Sequence, residues 1–192
     1  MPAEPIEVLL EVVRLLEDLG IPYMVGGSVA SSVFGIFRST DDVDVVIDLA
    51  LEKVPSLVAK LKPAFYVDES RVRDAVKQQA SFNVIQMEKI QKVDVFVLPD
   101  RPYNREELRR RQLVTITEDP KRSIYMASPE DVILQKLDWY GLGGEVSDRQ
   151  WCDALGVLKV QANRLDRSYL ERWASDLGVS ELLARALRAA GL

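Results

Sequence analysis

Asp42 and Asp44 stand one residue apart in the segment RSTDDVDVVI. Alternation along a strand sends residues two apart to the same face, so both carboxylates point one way while Val43 and Val45 point into the core. Two acids side by side at one end of a strand repel each other, and a divalent cation between them removes the repulsion. Hard oxygen ligands suit Mg²⁺ or Mn²⁺. Upstream, a short apolar strand from Ile21 to Val25 enters the pair Gly26-Gly27. Paired glycines permit close backbone approach and positive φ, and the helix that follows offers free N–H groups to an anion. Read by itself, the GGS turn is equally an ordinary strand-to-helix corner with Ser28 as the helix cap. The acid group read by itself is a solvated turn, but the apolar strand residues that follow it argue against a mere surface patch.

A third acid, Asp94, lies inside the apolar run KVDVFVL. Alternation puts Val93, Val95 and Val97 on one face and Asp94 with Phe96 on the other. A polar group buried there without compensation costs about 2–7 kcal/mol, and a charge more. Metal coordination at the sheet end, an edge position, or pairing with a nearby Arg or Lys would each remove that cost.

The pattern GGSVASSVFGIFRSTDDVDVVI, with the later Asp94, resembles the nucleotidyltransferase superfamily, most nearly the minimal AbiEii-like transferases of toxin–antitoxin systems. The resemblance covers roughly the first half of the chain, and SPEDVILQKLDWY with DRQWCDAL extends it more weakly. It implies that Gly26, Gly27 and Ser28 form a phosphate loop and that Asp42, Asp44 and Asp94 are the catalytic, metal-holding acids. It also implies a site role for Arg38 and a place near the nucleotide phosphates for Lys136. From the residues themselves, Arg38 either meets phosphate or pairs with an acid, and Lys136 either lines a cleft or snorkels to the surface. The family's lysine–aspartate pair has no direct counterpart; Arg149 and Asp153 stand four apart instead, a spacing that allows a helical ion pair worth about 0.2–0.5 kcal/mol.

The composition removes other chemistries. The chain of 192 residues has no histidine, which excludes Ser-His-Asp and Cys-His catalysis and His-based metal sites. Its one cysteine, Cys152, cannot form an internal disulfide and reads as a small buried residue. With 25 basic and 30 acidic residues, the formal charge of -5 excludes a general polyanion coat. No segment approaches the length of a membrane span and no leader pattern opens the chain, so a soluble, cytoplasmic protein is expected.

Periodicity supplies the frame. Residues 6–19 read as an amphipathic helix, and 51–61 as a helix with Pro55 in its first turn. Ala64 to Val67 reads as a strand, Ser70 as the cap of a helix whose Arg71, Arg73 and Lys77 form a basic face, and 82–87 with 92–98 as a hairpin. Residues 103–111 read as a charged helix whose arginines at 109 to 111 either touch RNA or are solvated surface. Two strands follow, joined by a turn at Asp119-Pro120. From Ser128, with Pro129 and two acids behind it, the chain turns helical: about 129–140, 147–160, 167–177 and 179–189. Trp139, Tyr140 and Trp151 read as core or inter-helix packing, not as base-stacking platforms.

The expected fold is α+β with an α/β-like core: a small mixed sheet of about four to six strands flanked by helices, with a helical cluster at the C-terminus. Residues 1–127 would form the nucleotidyltransferase core, and 128–192 a helical region packed on it. The expected function is metal-dependent transfer of a nucleoside monophosphate from a nucleoside triphosphate to an acceptor hydroxyl on RNA, protein or a small molecule. Two rivals stand beside it: a catalytically inactive nucleotide- or metal-binding protein, and a partner-dependent subunit, either a toxin held by an antitoxin or a chain completed by a substrate-binding partner, with self-association as a further partner.

Overall fold

A computed structural model of the chain describes residues 3–118 and 121–192. The turn read at Asp119-Pro120 lies outside the described residues.

Helix α1 (Ala3–Asp18) buries Leu9, Val12, Val13 and Leu16 on one stripe. Strand β1 (Tyr23–Val25) leads into helix α2 (Gly27–Phe34), and β2 (Val43–Ile47) returns beside β1. Helix α3 (Val54–Leu61) has Pro55 in its first turn, where a missing N–H costs nothing. Strand β3 (Phe65–Tyr66) and helix α4 (Glu69–Gln78) follow. The cap of α4 is Asp68, not Ser70: its carboxylate accepts from the backbone N–H groups of Ser70 and Arg71. Asp is at least as good a cap and sits earlier in the chain, so Ser70 falls inside the first turn.

The hairpin of β4 (Ser81–Gln86) and β5 (Gln91–Val97) forms as read, and helix α5 (Pro102–Arg110) leaves its end. Strands β6 (Gln112–Glu118) and β7 (Lys121–Met126) pair antiparallel. Four helices complete the chain: α6 (Pro129–Leu142), α7 (Asp148–Gln161), α8 (Arg167–Asp176) and α9 (Ser180–Ala190). Ser128 caps α6 as expected, accepting from the Asp131 N–H while its hydroxyl donates to the Asp131 carboxylate at 2.6 Å.

The seven strands among the described residues join one mixed sheet in the order β3-β4-β5-β2-β1-β7-β6. That exceeds the expected four to six, because the short β3 and the largely exposed β6 are both drawn in as sheet members. The pairs β2–β5 and β1–β7 are parallel; the others are antiparallel.

Alternation then sorts the two faces. Tyr23, Val25, Val43, Val45 and Ile47 join α1, α3 and α4 in one apolar cluster. Met24 lies in a second cluster on the opposite face, with Val46 packed against it, and α6 to α9 build that cluster. Each fully buried side chain of this kind contributes about 2 kcal/mol, which fixes which face is which. Asp44 has the parity of Val46 and therefore lies on the face that meets the C-terminal helices. No helix among the described residues is long and apolar enough to cross a membrane.

Candidate active site

The glycine turn is built onto the acid strand. Gly26 donates its N–H to the Asp44 carbonyl at 3.1 Å, continuing the β1–β2 pairing one residue past Val25. Gly27 has φ +56°, and a Cβ there would lie 1.8 Å from Asp44 Oδ2. Only glycine leaves room for the carboxylate. The backbone N–H of Ser28 favours the charged form of that same carboxylate. Ser28 does not cap α2; its hydroxyl instead accepts from Arg38 Nη2 at 2.8 Å and Arg149 Nη2 at 3.3 Å.

Asp44 and Asp94 are register partners on the adjacent parallel strands β2 and β5. Burial first, then the Asp94 charge and the Asp42 charge, push the Asp44 carboxyl above the ordinary aspartate range, against the pull of Lys136. Asp94 is paired with Lys92 at 2.7 Å, and that carboxylate holds the Lys92 ammonium above its usual value. Asp42 is paired with Arg149 at 2.7 Å. Thr40 accepts from the Asp42 N–H at 3.2 Å and so steadies the turn before the acid strand. Asp41 is exposed and contributes its carbonyl to Gln91.

A second layer of charge stands behind this. Asp153, on α7, receives Lys136 Nζ at 2.8 Å and Arg38 at 3.2 Å. Lys136 and Asp153 side chains are 6% and 8% exposed, so the ion pair is buried and Lys136 does not snorkel to the surface. Burial alone pushes the Asp153 carboxyl up, but the hydrogen bonds and charges of Arg38 and Lys136 outweigh it and leave the group below its ordinary value. The Arg149–Asp153 pair allowed by their spacing does not form: Arg149 turns to Asp42, and Asp153 turns to Arg38 and Lys136. Arg38 likewise pairs with Asp153 and not with the strand acids.

No family model and no curated protein matches the sequence. Solved structures do match. A lincosamide antibiotic adenylyltransferase, LnuA, in its lincomycin-bound form, aligns with TM-score 0.53 at 12% identity over 83% of this chain and 98% of its own. ANT(2")-Ia in complex with adenylyl-2"-tobramycin aligns with TM-score 0.55 at 12% identity, over 89% and 95%. An antigenic nucleotidyltransferase-like protein from Paracoccidioides brasiliensis aligns with TM-score 0.54 at 17% identity, over 97% and 94%. The chain has the nucleotidyltransferase fold.

On that fold, Asp42, Asp44 and Asp94 offer hard oxygen donors of the kind Mg²⁺ or Mn²⁺ takes. Asp44 fits such a group well: it is partly desolvated, faces a second carboxylate and is left space by Gly27. Asp42 and Asp94 carry Arg149 and Lys92 as counter-charges, and no three acidic or Cys side chains among the described residues are gathered closely enough to hold an ion. The donor type is that of a divalent-cation site, but two of the three carboxylates are held by cations of the chain itself and the three are not gathered around one point.

Several other residues singled out in the sequence stand away from this site. Helix α4 packs on the cluster beneath the opposite sheet face, so Arg71, Arg73 and Lys77 do not line the acids; Arg73 pairs with Glu69. Of the three arginines at 109 to 111, Arg109 pairs with Glu106, Arg110 with Glu130 over the Tyr169 ring, and Arg111 lies over Tyr125. Cys152 is exposed, because α7 turns Ala154, Val157 and Leu158 inward instead. Tyr140 and Trp151 do pack, with ring centroids 5.2 Å apart, but Trp139 is 56% exposed. Lys92 was legible from alternation, two residues before Asp94 on the same strand face; Arg149 at Asp42 carried no local signal.

Proposed function

We propose that the chain is a metal-dependent nucleotidyltransferase that moves a nucleoside monophosphate from a nucleoside triphosphate to an acceptor hydroxyl, with release of pyrophosphate. The observation that carries this reading is the position of Asp44, beside its register partner Asp94 and closed in by the Gly27 turn. Phosphoryl transfer asks a protein chiefly for positioning and charge stabilisation, which carboxylates, cations and backbone N–H groups provide without histidine.

In this reading the free N–H groups at the start of α2 and the cations Arg38, Lys136 and Arg149 hold the triphosphate. Asp153 fixes the direction of Arg38 and Lys136. Asp42, Asp44 and Asp94 would hold Mg²⁺ or Mn²⁺, which supplies a Lewis acid that lowers the pKa of the attacking hydroxyl and neutralises phosphate charge. Asp94 would be the ligand on the attacking side, where it would assist removal of the hydroxyl proton. Residues 1–127 serve as the transferase core and 128–192 as the helical region that brings Lys136, Arg149 and Asp153 to it. A cytoplasmic location, where triphosphates are made, accords with this chemistry.

Two of the proteins sharing the fold are crystallised with a small hydroxylated antibiotic or its adenylylated product. That supports a small molecule as one acceptor class beside RNA and protein. The test incubates the protein and Mg²⁺ with each α-labelled triphosphate, adding RNA, cell protein or aminoglycoside and lincosamide panels in separate arms. Label transfer that vanishes in Asp44→Asn and Asp94→Ala is expected. Failure of transfer in every arm, with nucleotide affinity the same in both variants, would overturn the metal-triad reading.

The capping of Asp42 by Arg149 and Asp94 by Lys92 favours a second reading, an inactive or partner-completed nucleotide binder, including a toxin held by an antitoxin. Metal-dependent nucleotide binding with no transfer in any arm is its signature.

A further inference from the structure

Trp139 is an exposed tryptophan on the helix that serves the site. Gln135 Oε1 lies 3.4 Å from where a Gly26 Cβ would stand, so Gln135 abuts the glycine turn. Its neighbour Lys136 reaches Asp153 and lowers the Asp44 carboxyl by its charge. At about 100° per residue, Trp139 projects roughly 40° from Gln135, inside the arc between Gln135 and Lys136 and about one 5.4 Å turn further along α6. Long side chains of a helix lean toward its N-terminus and over the i−3 and i−4 positions. By that geometry the Trp139 side chain lies on the helix face shared by Gln135 and Lys136, one turn beyond the residue that abuts the glycine turn.

Trp139 is 56% exposed, and its ring takes part in no ring or cation contact among the described residues. Leu142, three residues on and 75% exposed, continues the same stripe as an apolar edge. Tyr140, next in the chain, is buried against Trp151. A large apolar side chain is thus left open to solvent one helical turn from the residue that abuts the glycine turn.

We propose that Trp139 is the stacking platform for the nucleobase of the bound nucleoside triphosphate. This rests on the reading of the Gly26–Ser28 turn as the phosphate site. The triphosphate sits at the turn and its cations, the ribose spans one helical turn, and the base lies on the indole face. Stacking is tolerant of base identity because every base has a π-face, so the platform supplies affinity with mild purine preference and leaves base choice to other contacts.

The test is calorimetric titration of wild type, Trp139→Ala and Trp139→Phe with each of the four nucleoside triphosphates and with inorganic tripolyphosphate, all in Mg²⁺. Trp139→Ala is expected to weaken the nucleoside triphosphates about tenfold and leave tripolyphosphate unchanged, while Trp139→Phe restores most of the loss. Tripolyphosphate binding with triphosphate affinities unaltered in Trp139→Ala would overturn the stacking role and leave the phosphate site standing. Equal weakening of tripolyphosphate and nucleotide would also overturn it, as a structural effect of the substitution. Binding of neither probe to wild type would remove the phosphate site, and the platform with it.

Discussion

Gly27 and Asp44 are fitted to each other: the glycine backbone, at φ +56°, lies where any Cβ would overlap the Asp44 Oδ2 atom. The turn and the acid strand are therefore one unit, tied further by the Gly26 N–H to the Asp44 carbonyl. Gly27→Ala must adopt a left-handed conformation that costs about 1–2 kcal/mol for a residue with a Cβ, and must also displace the carboxylate. The variant is expected to keep its fold with a lowered melting temperature and to lose nucleotidyl transfer. Thermal melting and the labelled-triphosphate assay, run together, check it; full activity would show that the contact is dispensable.

Asp44→Asn is expected to stabilise the protein while abolishing transfer. Burial and the charges of Asp94 and Asp42 raise the Asp44 carboxyl, so its ionised form is disfavoured in the fold. A raised carboxyl contributes stability below its ordinary value and loses it as pH rises through the folded value, so near neutrality the charge is a burden. A neutral amide of the same shape relieves it, and stabilisation of about 0.5–2 kcal/mol is usual when functional strain is removed. Denaturant unfolding at neutral pH measures this. A less stable Asp44→Asn would show that the carboxylate supports the fold.

The parts of the site that were legible in the sequence are those with short-range cause. Alternation set Asp44 opposite Val43 and Val45 and Asp94 opposite its flanking valines, and the glycine pair marked the turn; that the two strands lie side by side in register came from the fold. The charge partners were not legible, because they are made by the tertiary fold: Asp42 meets Arg149 across 107 positions and Arg38 meets Asp153 across 115. The one ion pair that helical spacing offered, Arg149 with Asp153, lost to these longer contacts. Trp139 and Cys152 were read as buried because their side chains are apolar; the registers of α6 and α7 turn other residues to the core.

Asp153→Asn leaves Lys136 buried with its counter-charge removed. Breaking a buried pair of this kind costs about 3 kcal/mol, or roughly 6–12 °C in melting temperature for a chain of this size. The acid limb should change as well. The Asp153 carboxyl is held below its ordinary value, so its stabilisation is present above the unfolded-state value and disappears as pH falls through the folded value. Melting temperatures from pH 3 to pH 7 should therefore converge between wild type and variant at the acid end. A constant difference across that range would assign the loss to packing alone. Nucleotide affinity should fall too, since Arg38 and Lys136 lose their common anchor.

Glu107 gives the pH dependence of opposite sign. It is fully buried between α5 and α6, accepts from Asn104 at 3.3 Å and from Gln135, and has Asp131 and Tyr103 near it. Burial first and the Asp131 charge second push its carboxyl well above the usual glutamate range, against those two hydrogen bonds. The stability it supplies is complete below the unfolded-state value and is lost as pH rises through the raised folded value, where a buried charge would have to form. Glu107→Gln keeps the shape and hydrogen-bonding capacity without the charge. Between pH 5 and pH 9 the wild-type melting temperature should fall relative to the variant, with the gap widest at the alkaline end; parallel curves would place the carboxyl in its ordinary range. Because Gln135 joins Glu107 to the side of Gly26, the same rise in pH should weaken triphosphate binding in wild type more than in Glu107→Gln.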